Sequence, residues 1–282
     1  DQRPYPLSQH LSQDYRQSVH SELNLHIVKK AAVVTLALFI GVIGAALYLP
    51  ANLAQFAVKQ IPGIDAIRFG GTIWHGQTTL IVESSQTAKL SWRLARLTNP
   101  QSNEIFGLQP SFFWTLGNAD LDLKGTLDLH RSTASLLAEG KIDSNALTPI
   151  LNRFDIFLSG HFLLAPTQVT APYGARSLEK VSLINPTTLA WSGGQISYIL
   201  TGQYNQIELP RLVAQLDKQS NKTMIANINE GSNNAKLLDL ALNQDGIIRV
   251  RLNRRFIDLL AFPWPGEQDP NDVIIEVERT IL

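Results

Sequence analysis

The rhythm of apolar and polar positions changes twice along this chain. Residues 1–26 are rich in Gln, Ser and His and hold no periodic apolar face, so they predict a poorly ordered tail serving as a short recognition segment. From Ala31 to Leu49 the run AAVVTLALFIGVIGAALYL carries no charge, and only Thr35 and Tyr48 bring polar groups. As a helix it would measure about 28 Å, the thickness of one hydrocarbon core. Lys29 and Lys30 bound it on one side, Tyr48 and Pro50 on the other. The run is longer than the apolar core of a signal peptide, thirty residues lead up to it, and ANLA at 51–54 is a poor cleavage site. An uncleaved transmembrane helix over residues 31–50 is therefore the expectation. Arg16, Lys29 and Lys30 precede it, against Lys59 and Arg68 as the first cations after it. This modest excess predicts that residues 1–30 are a cytoplasmic tail and that residues 51–282 form a domain across the membrane. Within the run, Ala37, Gly41 and Ala45 recur every four residues with Gly44 close by, a small-residue stripe suited to helix–helix contact.

After the run, Leu53, Phe56, Ala57 and Ile61 share one helical face before Pro62 and Gly63, so the helix is expected to continue for two or three turns. Beyond Gly63 the period drops to two. The clearest stretch runs from Ala119 to His130, where Leu121, Leu123, Leu127 and Leu129 alternate with polar residues and Gly125 sits mid-strand on the apolar face. That glycine predicts a bend, a bulge or a close backbone approach. Further strand-like stretches are 78–82, 88–94, 135–143, 156–164, 178–184, 188–200, 207–216, 223–228, 236–243, 247–252 and 273–280. Turns rich in Gly, Asn, Asp and Pro separate them, which favours one large curved antiparallel sheet over βαβ units. Two short helices are expected, over 145–154 and 254–262, from the spacing of Leu147, Ile150, Leu151 and Phe154 and of Phe256, Leu259 and Leu260. The fold class is thus mainly β. The segments LDLKGTLDL, DIFLSGHFLL and LAWSGGQISYIL each carry glycine between two strand halves; as three loose copies they predict repeated bent strands rather than a solenoid.

Charge narrows the function. Lys plus Arg equals Asp plus Glu at 24 each, without like-charge blocks, so no nucleic-acid partner is indicated. The absence of cysteine removes disulfides, thiol catalysis and Cys-ligated metal. His75, His130 and His161 form no HxH or HExxH spacing, and Asp120, Asp122 and Asp128 share their strand face with Lys124, the pattern of a solvated surface rather than a calcium site. No nucleophile elbow, phosphate loop or dinucleotide turn occurs, and Gly193–Gly194 after Trp191 suggests a bulge. No catalytic residue, metal or cofactor is expected. Two aromatic clusters stand out, Phe112, Phe113 and Trp114, and the FPWPG segment at 262–266, whose Phe262 and Trp264 are candidates for partner contact.

Leu49, Pro50 and Ala51, followed by Gly71, Thr72, Trp74 and Gly76 in GGTIWHG, resemble the type II secretion system protein N family of Gram-negative inner membranes. In that family an LPA segment after a single span precedes a G-T-x-W-x-G element. The likeness continues through LSW at 90–92, Gly140, Leu158 to Gly160, LAWSGG at 189–194 and DGIIRVRL at 245–252, covering nearly everything after Leu49. His75 stands where Gln or Arg is expected, and the N-terminal tail is longer than usual. The resemblance implies an accessory inner-membrane component of the secretion machine whose periplasmic domain contacts other inner-membrane subunits or the outer-membrane secretin. GTxWxG is also similar to an element of AsmA-type envelope proteins, which implies the alternative of a lipid-binding or lipid-transfer module.

Overall fold

The structure is a computed structural model that describes residues 36–38, 40, 41, 44, 45, 47–59, 64–82, 86–98, 109–152, 155–175, 180–200, 203–218, 223–243, 246–260 and 262–280. The chain divides into two compact units, residues 1–50 and 51–282. In the first, the described residues between 36 and 47 are helical. No helix among the described residues is long and apolar enough to cross a membrane; Ala31 to Thr35, with positions 39, 42, 43 and 46 of the expected span, lie outside them.

The expected continuation of this helix past Leu49 is not observed. Tyr48 to Pro50 are non-helical, because Pro50 has no N–H to donate. A separate 3-10 turn, Ala51–Ala54, leads into the short helix α1 (Gln55–Val58). Of the expected apolar face, Leu53 and Phe56 are 40% and 71% exposed and Ile61 lies outside the described residues, while Ala51 is buried.

The second unit is mainly β. Its strands are β1 (Ile64–Gly71), β2 (His75–Val82), β3 (Gln86–Thr98), β4 (Gln109–Gly117), β5 (Leu121–Leu129), β6 (Thr133–Asp143), β7 (Ile156–Leu158), β8 (His161–Pro172), β9 (Ser182–Leu183), β10 (Thr187–Trp191), β11 (Gly194–Leu200), β12 (Gln203–Leu209), β13 (Leu212–Lys218), β14 (Met224–Glu230), β15 (Lys236–Leu242), β16 (Ile247–Asn253) and β17 (Val273–Thr280). Fourteen of them form one antiparallel sheet in the order β1-β2-β3-β4-β5-β6-β8-β10-β13-β14-β15-β16-β17, with β9 beside β8. Neighbours in sequence are mostly neighbours in space, the result of hairpin connections too short for a crossover. Of the two expected short helices, one is a 3-10 turn at Ser144–Leu147 running into α2 (Thr148–Leu151), and the other is α3 (Arg254–Leu259).

A second sheet, β12-β11-β7, changes the reading of three expected strands. The stretches 156–164, 188–200 and 207–216 each break in two, and each contributes one half to each sheet. The lateral order β7, β11, β12 in the small sheet matches β8, β10, β13 in the large one, so three adjacent strands turn one common corner. The breaks fall at Gly160, at Gly193 and at Pro210. Gly160 and Gly193 have φ +87° and +82°, which L side chains rarely adopt. At Gly160 a Cβ would lie 2.5 Å from Gly193 O. Side chains lock the corner: Ser159 Oγ accepts from Gln195 N at 2.7 Å, Ser192 Oγ accepts from His161 N at 3.0 Å, and Trp191 Nε1 donates to Ser159 O at 3.0 Å. Strands β1 and β4 were not separately foreseen, and the stretch at 178–184 pairs only at Ser182–Leu183 among the described residues.

Candidate functional site

Gly71, Thr72, Trp74 and Gly76 build the turn between β1 and β2. Gly71, at φ +85°, lies where a Cβ would meet His75 O at 2.4 Å, so the backbone folds tightly only without a side chain. Thr72 N donates to His75 O at 2.9 Å, while its Oγ1 accepts from Trp74 N and His75 N at 3.3 and 3.1 Å, satisfying the turn's donors locally. Trp74 stacks on Phe112 with ring centroids 6.5 Å apart. Gly76 is buried beneath Trp92, whose Cζ2 would stand 2.5 Å from an added Cβ and whose Nε1 donates to Ile73 O at 3.0 Å. The four motif residues and Trp92 therefore form one interlocked unit.

This unit opens a row of paired residues on one face, Gly71, Gly76, Trp92, Trp114, Gly125 and Ala138. Glycine flanks the indoles on both sides. At Gly125 a Cβ would stand 1.7 Å from Leu137 O and 3.0 Å from Trp114 Cζ2, so the close approach expected there is present. Trp114 Nε1 is buried without an acceptor.

On the same face, register joins residues far apart in sequence. Following Cα partners strand by strand from β2 to β17 gives Thr78, Leu90, Leu116, Leu123, Gly140, Leu164, Leu189, Ala214, Ile228, Leu238, Leu252 and Ile275. Eleven inter-strand steps cover about 53 Å. The row holds no charge, and every member except Thr78 is half-buried. The short helices lie chiefly toward the ends of the sheet, the 3-10 turn and α1 on β1, and α3 on β15 and β16.

The opposite face is mostly polar, yet it carries a cleft of about 510 Å³ across β2 to β6. Its walls include His75, Arg93, Phe113, Lys124, Leu137 and Glu139. Here the neighbouring aromatics separate: Phe112 and Trp114 face the apolar side, while Phe113 faces the cleft.

The other candidates scatter. Ala37, Gly41 and Ala45 are exposed, Gly44 is half-buried, and space for a Cβ is open at both glycines. Phe262 is exposed and Trp264 half-buried in the loop after α3, which Arg254 ties down by donating from Nη1 to Gly266 O at 3.0 Å. His130 pairs with Gln109, and Asp128 accepts from Ser111 Oγ. No group of three His, Cys, Asp or Glu among the described residues is arranged to hold a metal ion. Comparison with known proteins finds no matching family model, no matching curated protein and no matching solved structure.

Proposed function

We propose that this chain is an accessory inner-membrane component of the type II protein secretion machinery, with residues 31–50 in the membrane and residues 51–282 in the periplasm. There it scaffolds contacts between other inner-membrane subunits and the outer-membrane secretin, and it performs no catalysis itself. The observation that carries the reading is the interlocked turn. Gly71, Thr72, Trp74 and Gly76, the residues of the resemblance, each meet a steric or hydrogen-bonding demand of the same small unit, so they work as a set and not as a chance string. Exposed Leu53 and Phe56, close behind the uncharged run, suit a position at a membrane interface. To test the reading, the tagged full chain is extracted in mild detergent from a Gram-negative host that secretes by this route. Co-purification with the machine's inner-membrane subunits is expected. Recovery of the chain alone, with secretion unchanged in a strain lacking it, would overturn the reading.

The half-buried row from Thr78 to Ile275 favours a second reading, a periplasmic lipid-binding or lipid-transfer module of the AsmA type. An uncharged lane about 53 Å long offers hydrocarbon a path without a desolvated charge. Native mass spectrometry of the full chain decides this point: near-stoichiometric phospholipid supports the lipid reading, and lipid-free protein speaks against it.

A further inference from the structure

We infer that the cleft over β2 to β6 is a docking site for an acidic peptide segment that inserts one aromatic or large aliphatic side chain. The inference deepens the reading of the chain as an assembly component and rests on it, since it names the chemistry of the partner.

Two adjacent cross-strand rows build the site. One runs His75, Arg93, Phe113, Thr126 and Leu137; the next runs Gln77, Ser91, Thr115, Lys124 and Glu139. Phe113 and Leu137 give the cleft an apolar floor on a face where their neighbours are polar. Phe113 is 46% exposed, so its ring is available to a partner. The Arg93 guanidinium carbon lies 5.3 Å from the centroid of that ring. This cation–π contact holds the guanidinium over the apolar floor, where its N–H groups can meet a planar carboxylate. Among the described residues Arg93 forms no ion pair. Lys124 has one partner, Glu139 Oε1, at 3.6 Å, and its side chain is largely exposed. His75 stands beside Arg93 as its cross-strand partner.

Among the described residues the rim thus presents two cations and a histidine against one carboxylate, and that carboxylate pairs with Lys124 and not with Arg93. Arg93 and Lys124 lie two strands and one row apart, about 12 Å between backbones, a spacing that carboxylates on either side of one buried side chain can span. Aromatic side chains and arginine are the residues that most often carry the binding energy of protein contacts. A basic partner is rejected by the same charges.

The test uses the purified full chain in a zwitterionic detergent and a fluorescein-labelled peptide with one tryptophan between two pairs of aspartates, read by fluorescence anisotropy. Saturable binding is expected. Replacing the tryptophan by alanine should weaken it at least fivefold, and replacing the aspartates by lysines should abolish it. These arms need no protein variant. Arg93→Gln should weaken binding by about tenfold, the loss of one charge-assisted hydrogen bond, while Lys141→Gln, outside the cleft, should not. Equal binding of the tryptophan-free peptide, no effect of Arg93→Gln, or full displacement by phosphatidylglycerol added to the detergent micelles would each overturn the site. Such a failure leaves co-purification with secretion subunits untouched, so the two readings fail separately.

Discussion

Placing a methyl group on Gly160 tests whether the common corner really holds the two sheets together. At φ +87° an L residue pays roughly 1–2 kcal/mol for its backbone alone. The new Cβ would also stand 2.5 Å from Gly193 O and 2.6 Å from Ser192 Oγ; the first is backbone and must shift with its whole strand. Overpacking of this kind costs roughly 1–3 kcal/mol, so Gly160→Ala should destabilise by about 2–5 kcal/mol in all. Gly174 supplies the internal control. It has φ +70° but nothing within 4 Å of a Cβ, so Gly174→Ala carries only the backbone strain, reduced by the lower entropy of the unfolded chain, and should cost about 1 kcal/mol or less. Urea unfolding of the full chain in mild detergent, followed by tryptophan fluorescence, reads both. Trp191 donates to Ser159 O at the corner itself, so the probe sits where the perturbation acts. At a slope of about 2–3 kcal/mol per M the Gly160 variant should lose about 1–2 M in midpoint. Equal midpoints for the two variants would refute the corner as a steric device and leave Gly160 as an ordinary turn glycine.

Alkaline phosphatase fused after Leu282 should be active, since residues 51–282 are proposed to be periplasmic; a stable, inactive fusion reverses the orientation. Trp92→Phe loses the hydrogen bond from Nε1 to Ile73 O, whereas Trp114→Phe removes a donor that is buried without an acceptor, so thermal unfolding should find the first less stable than the second by about 1–2 kcal/mol. The Tyr173 hydroxyl donates to His130 O, and partial burial raises its pKa above 10.0. The folded state then keeps the proton longer than the unfolded one, so stability should fall as pH rises above 10.0, and Tyr173→Phe should flatten that decline.

Alternation alone is enough to find most of the strands, because a sheet with one apolar face must repeat every two residues. It fails in particular places for stated reasons. At 156–164, 188–200 and 207–216 the alternation runs on through the corner, so the pattern does not mark where one sheet ends. Glycine does mark it, at Gly160 and Gly193, and Pro210 marks the third break. Strand β4 reads PSFFWTL, three aromatics in succession, which hides its parity; only pairing with β3 and β5 assigns Phe113 to one face and Phe112 and Trp114 to the other. The G-T-x-W-x-G set was visible as a string, but its physical logic depends on Trp92, which lies on the next strand and arrives over Gly76 through register.

The long apolar row illustrates the deeper limit, because a cross-strand row is a property of register and not of any one strand. Each strand supplies a single residue to it, and the choice of residue depends on every pairing between that strand and β2. The irregularity between Ala138 and Gly140 makes the point. Ala138 pairs with Thr167 and Gly140 with Leu164, so β8 spends three residues where β6 spends two. That extra residue moves Leu164 onto the apolar face and leaves Leu163, opposite Lys141, 48% exposed on the other. Without the irregularity, β8 would run on with the parity set by Thr167 and Ala138, which brings Leu163 to the apolar face opposite β6. The onward pairing of Leu189 with Leu164 would then fall out of phase with the residues from Ala214 to Ile275. One inserted residue in β8 therefore keeps the two halves of the sheet apolar on the same side, and across from it in β6 stands Gly140, at φ +146°, where an added Cβ would lie 2.1 Å from Asp122 O and no side chain fits.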